Sequence, residues 1–380
     1  DQTEKSNDTF EDYGLFTQVE QLNKTALKAH GLDKSGHLYK VNSFDFHRYE
    51  ETIKLADDPD YNQANFEGML EIKGDSDHTK LIEMLDALND ESQKIDDVLA
   101  TYFDTENLVY WLAFQLLTGN CDTQNRNCYL YSPLNSNTWY FLDWDNDGML
   151  RKLELSLTGF SDYASWERGV SNYWGNVLFN RALRSKSFRS ELDAAVKDLR
   201  SYMTEERLAK MIKHYREVTE SLVFAAPDID NLPVTKDQYE QIAAAIPAEI
   251  EENYKSFRES YKKSMPFYIG MPQIDNGKLR INWDASYDFK ARDIRYTVEL
   301  ARDYAITDVI FKAEDVLLPE VTCDAPDTGQ YFVRVRATNS DGYTQDAFDY
   351  YVTDDGKQYG MLCFYVQDGG KVVGDTYEEG

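Results

Sequence analysis

Gly119-Asn120-Cys121-Asp122-Thr123-Gln124-Asn125-Arg126-Asn127, followed after two short apolar runs by Asp143-Trp144-Asp145-Asn146-Asp147-Gly148, is the stretch on which the reading of the chain turns. Upstream of it, Asp104 supplies an N-cap, Leu108–Leu117 is apolar nearly all round, and Gly119 is placed to end a helix in the left-handed conformation. A helix apolar on every face belongs in a domain interior, so the loop leaving it is held rigidly. Cys128–Tyr131 and Thr138–Leu142 read as strands joined by Ser132-Pro133-Leu134-Asn135-Ser136-Asn137, a hairpin signal. Buried helix, polar loop, hairpin and acidic turn predict that Asp122, Asn127 and Asp145 meet.

That arrangement suits phosphoryl transfer. The reaction needs an acceptor for a hydroxyl proton, and carboxylate or amide oxygens to hold divalent ions on phosphates. An Asp five residues before an Asn, with a second Asp delivered by a hairpin, supplies both. Plainer readings share the same residues. Asp122 and Asn127 are turn formers, the acidic run 143–147 fits a solvated turn, and Trp144 fits a packing anchor. Asp143-x-Asp145-x-Asp147-Gly148 with Glu154 also satisfies the calcium-loop pattern of an EF-hand, with Leu150 at its apolar position. An EF loop requires flanking helices, whereas 138–142 reads as a strand.

Working outward, Tyr13–Glu20 alternates apolar with polar residues and predicts a strand; a short helix over Gln21–His30 and a strand over His37–Val41 follow. Residues 42–76 read as irregular. Thr79–Phe103 carries Leu81, Ile82, Leu85, Leu88, Ile95, Val98 and Leu99 at helical spacing, with a break near Asn89–Asp90. Residues 174–225 and 235–264 are helical, with Pro247 as a start or kink. From Met265 the composition becomes β-type, with runs at Leu279–Trp283, Tyr296–Leu300, Val309–Lys312, Tyr331–Ala337 and Ala347–Val352, as in a fibronectin- or immunoglobulin-like sandwich. The expected domains are 1–264, 265–355 as the sandwich, and 356–380 as a terminal strand and tail.

A length of 380 residues fits about two domains, and 42% hydrophobic content suffices for packed cores. The net charge of −28 repels phosphate backbones and anionic lipids, arguing against nucleic acid and membrane surfaces as partners. No apolar run reaches membrane-spanning length and no signal peptide is visible. Cys121 with Cys128, and Cys323 with Cys363, are the candidate bridges; the sequence leaves both open.

Asn120-Cys121-Asp122, Asn127-Cys128-Tyr129-Leu130-Tyr131 and Trp144-Asp145-Asn146-Asp147 resemble the loop, hairpin and acidic turn of the CotH kinase family, named after spore coat protein H. Tyr13–Glu20, Gly36-His37-Leu38-Tyr39-Lys40, Trp111-Leu112-Ala113 and Asn176–Asn180 are similar to further family segments; the resemblance covers about 1–262. It implies an α+β fold: an atypical protein-kinase-like domain with a mostly helical C-lobe and a partial N-lobe, then the all-β module. It implies ATP and Mg or Mn as cofactors, with Ca as the alternative through the EF-like pattern, and a protein Ser/Thr substrate. Asp122 corresponds to the catalytic-loop Asp, Asn127 and Asp145 to metal ligands, and Asp147 to an auxiliary one. Glu20 and Lys40 are candidates near the nucleotide. Asp143 stands where the family has Pro. The family's settings suggest a secreted or cell-surface bacterial protein, the β module offering a protein contact. The alternative is a non-catalytic surface scaffold on a kinase-like core. Glycoside hydrolysis has only an abundance of carboxylates behind it.

Overall fold

The computed structural model describes residues 3–6, 9–159, 164–354 and 356–375; positions 376–380 of the expected tail lie outside them. By contact the chain divides into Asp1–Ser161 with Asn176–Lys255, and Asp162–Gly175 with Ser256–Gly380.

In the first unit, β1 (Thr3–Ser6) and β2 (Thr9–Asp12) form an antiparallel hairpin. Helix α1 (Lys24–Ala29) starts at Asn23, whose side chain accepts from the Thr25 and Ala26 amides. Next come β3 (His37–Val41), α2 (Gln63–Met69) and β4 (Leu70–Ile72), then α3 (Thr79–Asn89), α4 (Ile95–Tyr102) and α5 (Thr105–Thr118). β5 (Cys128–Ser132) and β6 (Tyr140–Asp143) complete an antiparallel sheet ordered β4-β3-β5-β6. Its register sets Lys40 opposite Tyr129 and Cys128 opposite Asp143. Leu27, Leu38, Tyr129 and Tyr131 pack together there, with Leu142 and Trp144 against them.

Helix α5 is the pillar of this unit. The Asp104 carboxylate accepts from the Asn107 amide at 2.9 Å, satisfying one of the donors a helix start leaves open. Leu108, Leu112, Ala113 and Leu117 are fully buried, and burying a Leu contributes about 2 kcal/mol. Trp111 stacks on Phe179 at 5.8 Å between ring centres and meets Phe141 at 4.9 Å. Gly119 ends the helix at φ 67°. A Cβ there would also lie 2.6 Å from Asn253 Nδ2, so conformation and space both select glycine. α6 (Lys152–Leu157), α7 (Val177–Arg184), α8 (Lys186–Tyr202) and α9 (Glu205–Val223) follow, and α10 (Lys236–Ser260), carrying Pro247, runs on into the second unit.

Among its described residues the second unit is all-β apart from the end of α10 and a 3-10 turn at Gly169–Tyr173. Its strands are β7 (Gln273–Asp275), β8 (Lys278–Asn282), β9 (Ile294–Ala301), β10 (Val309–Val316), β11 (Glu320–Asp324), β12 (Gly329–Asn339), β13 (Thr344–Asp346), β14 (Tyr350–Thr353), β15 (Gly356–Tyr359), β16 (Met361–Val366) and β17 (Val372–Gly374). One sheet runs β10-β9-β12-β16-β17 with β13 on β12, a second β11-β8-β7, and β14 pairs with β15. Leu279 and Ile281 of the small sheet share a core with Val298, Leu300, Val333 and Val335 of the large one. No helix among the described residues is long and apolar enough to cross a membrane.

Several local expectations change. Tyr13–Glu20 forms no strand: Tyr13, Phe16 and Val19 are 50%, 52% and 63% exposed, and the Leu15 amide bonds to the Asp228 carboxylate instead of to a neighbouring strand. Alternation makes a strand only where an edge and an apolar face receive it. Residues 42–76 contain α2 and β4. Ala347–Val352 contributes only to the separate β14-β15 pair. No disulfide joins Cys121 to Cys128 or Cys323 to Cys363.

Candidate active site

The Asp122 loop is pinned from below. The Asn125 carbonyl accepts from the Phe44 amide at 2.7 Å, and the Gln124 carbonyl accepts from Asn176 Nδ2 at 2.8 Å. Asn127, at φ 58°, turns its amide back and donates from Nδ2 to Asp122 Oδ2 at 2.9 Å. Arg126 Nε stands 3.7 Å from the other Asp122 oxygen. The Asp122 amide donates to Asn120 Oδ1 at 3.3 Å.

The acidic turn comes off β6 onto this loop. Asp145 takes φ 56° before a 3-10 turn over Asn146–Gly148. Left-handed conformations cost non-glycine residues least at Asn and Asp, and both Asn127 and Asp145 adopt one. Gly148 lets the turn and loop touch: a Cβ on it would lie 2.7 Å from Asn120 Oδ1. Leu150, also at positive φ (55°), donates its amide to the Thr118 carbonyl at 2.9 Å.

The electrostatics report the same convergence. The Asp122 side chain is 55% exposed, yet burial of its remainder lifts the carboxyl above the ordinary Asp value. Arg126 and the hydrogen bond from Asn127 act in the opposite direction, and the negative charges of Asp147 and Asp145 add to the rise. Both turn carboxylates therefore act on Asp122. Burial likewise raises Asp143, against the hydrogen bonds it receives from Gln115 and Asn146.

Asp122 is thus joined to Asn127 by a hydrogen bond, and Asp145 and Asp147 lie near enough for their charges to act on it. Lys40 reaches Trp144 of the turn, with Nζ 5.9 Å from the centre of its ring, a cation–π contact. Glu20 does not join them: it pairs with His30 Nε2 at 2.7 Å, on a side chain 54% exposed. The EF-hand pattern is not folded as one. A strand precedes it, and both Glu154 oxygens are taken by Arg151 at 2.9 and 2.8 Å. Sequence reasoning passed over Gln115, Asn120, Arg126 and Asn146, which connect or charge the two loops. The available signal was Gln115, a lone amide inside an apolar helix.

No group of three His, Cys, Asp or Glu side chains among the described residues is gathered to hold a metal ion. The donors present are nonetheless hard oxygens, carboxylates beside amides. They suit Mg²⁺, which commonly takes one or two carboxylates and completes its shell with phosphate oxygens and water.

The family model described as CotH kinase protein matches residues 5–257. No curated protein matches the chain. Among solved structures, the twitchin kinase region from C. elegans (Fn31-NL-kin-CRD-Ig26) aligns at 16% identity with a TM-score of 0.19. That alignment covers 25% of this chain and 20% of the other.

Proposed function

The chain belongs to the CotH kinase family, and from that premise we propose that it transfers the γ-phosphoryl group of ATP to Ser or Thr of a protein substrate. The observation carrying this reading is that Asp122, tied to Asn127 at 2.9 Å, also lies within the electrostatic reach of Asp145 and Asp147. A divalent ion bound there would neutralise charge on the phosphates. Asp122 orients the attacking hydroxyl and accepts its proton. Asn127 and Asp145 would hold Mg²⁺ or Mn²⁺, and Asp147 would assist. Lys40, on β3, would approach the nucleotide; Glu20 would have to leave His30 to do so. The second unit serves as a fibronectin type III-like protein contact, and the family's settings place the protein in a secreted or surface location.

The test pairs binding with transfer. ATP with Mg²⁺ at about 100-fold excess over Kd should stabilise the fold by about 2.7 kcal/mol. Asp145→Ala should abolish that rise in melting temperature. Asp122→Ala should keep it while losing transfer of label from γ-labelled ATP to protein. Transfer that survives Asp122→Ala sinks the assignment.

A second reading, a scaffold retaining a kinase-like core without catalysis, draws on the lack of a three-carboxylate cluster among the described residues. It predicts no label transfer under any metal.

A further inference from the structure

Helix α5 is apolar through its core with one conspicuous exception. Gln115 is 1% exposed, and its Oε1 has no hydrogen-bond partner among the described residues. Burying an unpaired amide oxygen destabilises a fold, and a Leu of similar length would fill the position without that cost. The other end of the amide explains what is gained. Gln115 Nε2 donates to Asp143 Oδ1 at 3.0 Å and to Asn146 Oδ1 at 3.3 Å. Those two residues flank Asp145, whose left-handed φ of 56° needs outside restraint to persist. Asn146 Oδ1 also accepts from Asn120 Nδ2 at 3.3 Å, and Asn120 Oδ1 in turn accepts from the Asp122 amide. One buried side chain therefore leads through a single amide oxygen to both loops.

We propose that Gln115 is a positioning residue: from inside the buried helix it fastens the turn on both sides of Asp145 and so sets where the metal-holding carboxylates stand relative to Asp122. The inference rests on the kinase reading. Removing the outer partner of a metal ligand typically weakens metal affinity or activity by about 10–100-fold; Gln115 holds the neighbours of Asp145 rather than a ligand itself, and its loss should act through them within that range.

The experiment uses the full chain and the variants Gln115→Leu, Asn146→Ala and their combination. Each is melted without ligand, then with ATP across a Mg²⁺ titration. Gln115→Leu should melt at or above the wild-type temperature, while the Mg²⁺ concentration that half-saturates the ATP-dependent rise increases by about 10–100-fold. Asn146→Ala, changed on the partly exposed turn, should show the same displacement, and the combination should add little because the two act as one link. Should Gln115→Leu fail to fold, Asn146→Ala alone still decides. An unshifted Mg²⁺ dependence in these variants overturns the inference and leaves the kinase reading standing. So does a weakened Mg²⁺ response matched by an equal loss of unliganded stability. A wild-type chain with no ATP-dependent rise at all overturns the kinase reading, and this inference with it.

Discussion

At the scale of the single residue, Gly148 and Asp349 make opposite kinds of statement. Gly148 is where two loops meet, and a methyl group there would have to displace the Asn120 amide from 2.7 Å. Asn120 receives the Asp122 amide, so the displacement is passed to the Asp122 loop, which the proposed mechanism makes catalytic. Small misplacements at a reacting centre cost up to about 100-fold in rate. Gly148→Ala is therefore expected to lower kcat by about 10–100-fold while the chain still melts cooperatively, as steady-state assays beside a melting curve would show. Asp349 belongs to the second unit. Burial raises its carboxyl from 3.8 to about 6, the hydrogen bond from the Ile269 amide opposing and Asp284 adding to the rise. A group raised on folding binds its proton more tightly in the native chain. Its contribution is thus complete below about pH 4 and is lost as pH climbs through about 6. The interval corresponds to at most about 3 kcal/mol. Asp349→Asn should flatten this decline and stabilise the second unit near pH 7; urea titrations at pH 4.5 and 7.5 would reveal a variant that behaves like wild type at both and so refute the argument.

At the scale of elements, α5 and the β5-β6 hairpin were legible because each is specified locally. Asp104, the apolar run and Gly119 state a helix with both ends capped, and Pro133-Leu134-Asn135 states a turn. The break between α3 and α4 was legible for the same reason. Tyr13–Glu20 was not, since its alternation promised a partner strand that only the folded chain could supply or withhold. Nor was Glu320–Asp324, whose apolar residues are only Val321 and Cys323 and whose pairing with β8 is long-range. In the site, the paired spacing of Asp122 and Asn127 was readable. The bridging amides of Gln115, Asn120 and Asn146 were not, because a hydrogen bond between distant residues leaves no period in a sequence. A similar long-range knot ties the start of the β unit. Arg292, 9% exposed, grips Asp288 at 2.9 Å, reaches Asp341 and donates to the Tyr261 carbonyl. Arg292→Ala would remove the cation beside the Asp288 carboxylate, itself 2% exposed, leaving it the Lys290 and Arg292 backbone amides and Asn339 Nδ2 as donors, at an expected cost of about 3 kcal/mol. Chemical denaturation should register that loss; a change below about 1 kcal/mol would mean water reaches the carboxylate.

At the scale of the whole molecule, the net charge of −28 bears directly on how a metal should be sought. Self-repulsion destabilises a compact state, and screening shortens its reach from about 30 Å at 0.01 M salt to about 8 Å at 0.15 M. Sodium chloride alone should therefore raise the melting temperature over that range, and Mg²⁺ should do so before any specific site fills. A specific site is recognised only by the part of the Mg²⁺ effect that needs ATP and vanishes in Asp145→Ala. If salt leaves the melting temperature untouched, the acidic groups are already balanced locally.

α10 has a practical consequence for anyone shortening the chain. Asn253 donates to the Leu117 carbonyl at 3.1 Å, and Glu249 accepts from the Lys152 amide at 2.8 Å. The last long helix is thus a splint on the end of α5 from which the Asp122 loop departs. Ending an expressed fragment at 235 would discard the splint and take the Asn253 amide away from the Leu117 carbonyl. A shortened chain worth testing should retain the helix through Ser260.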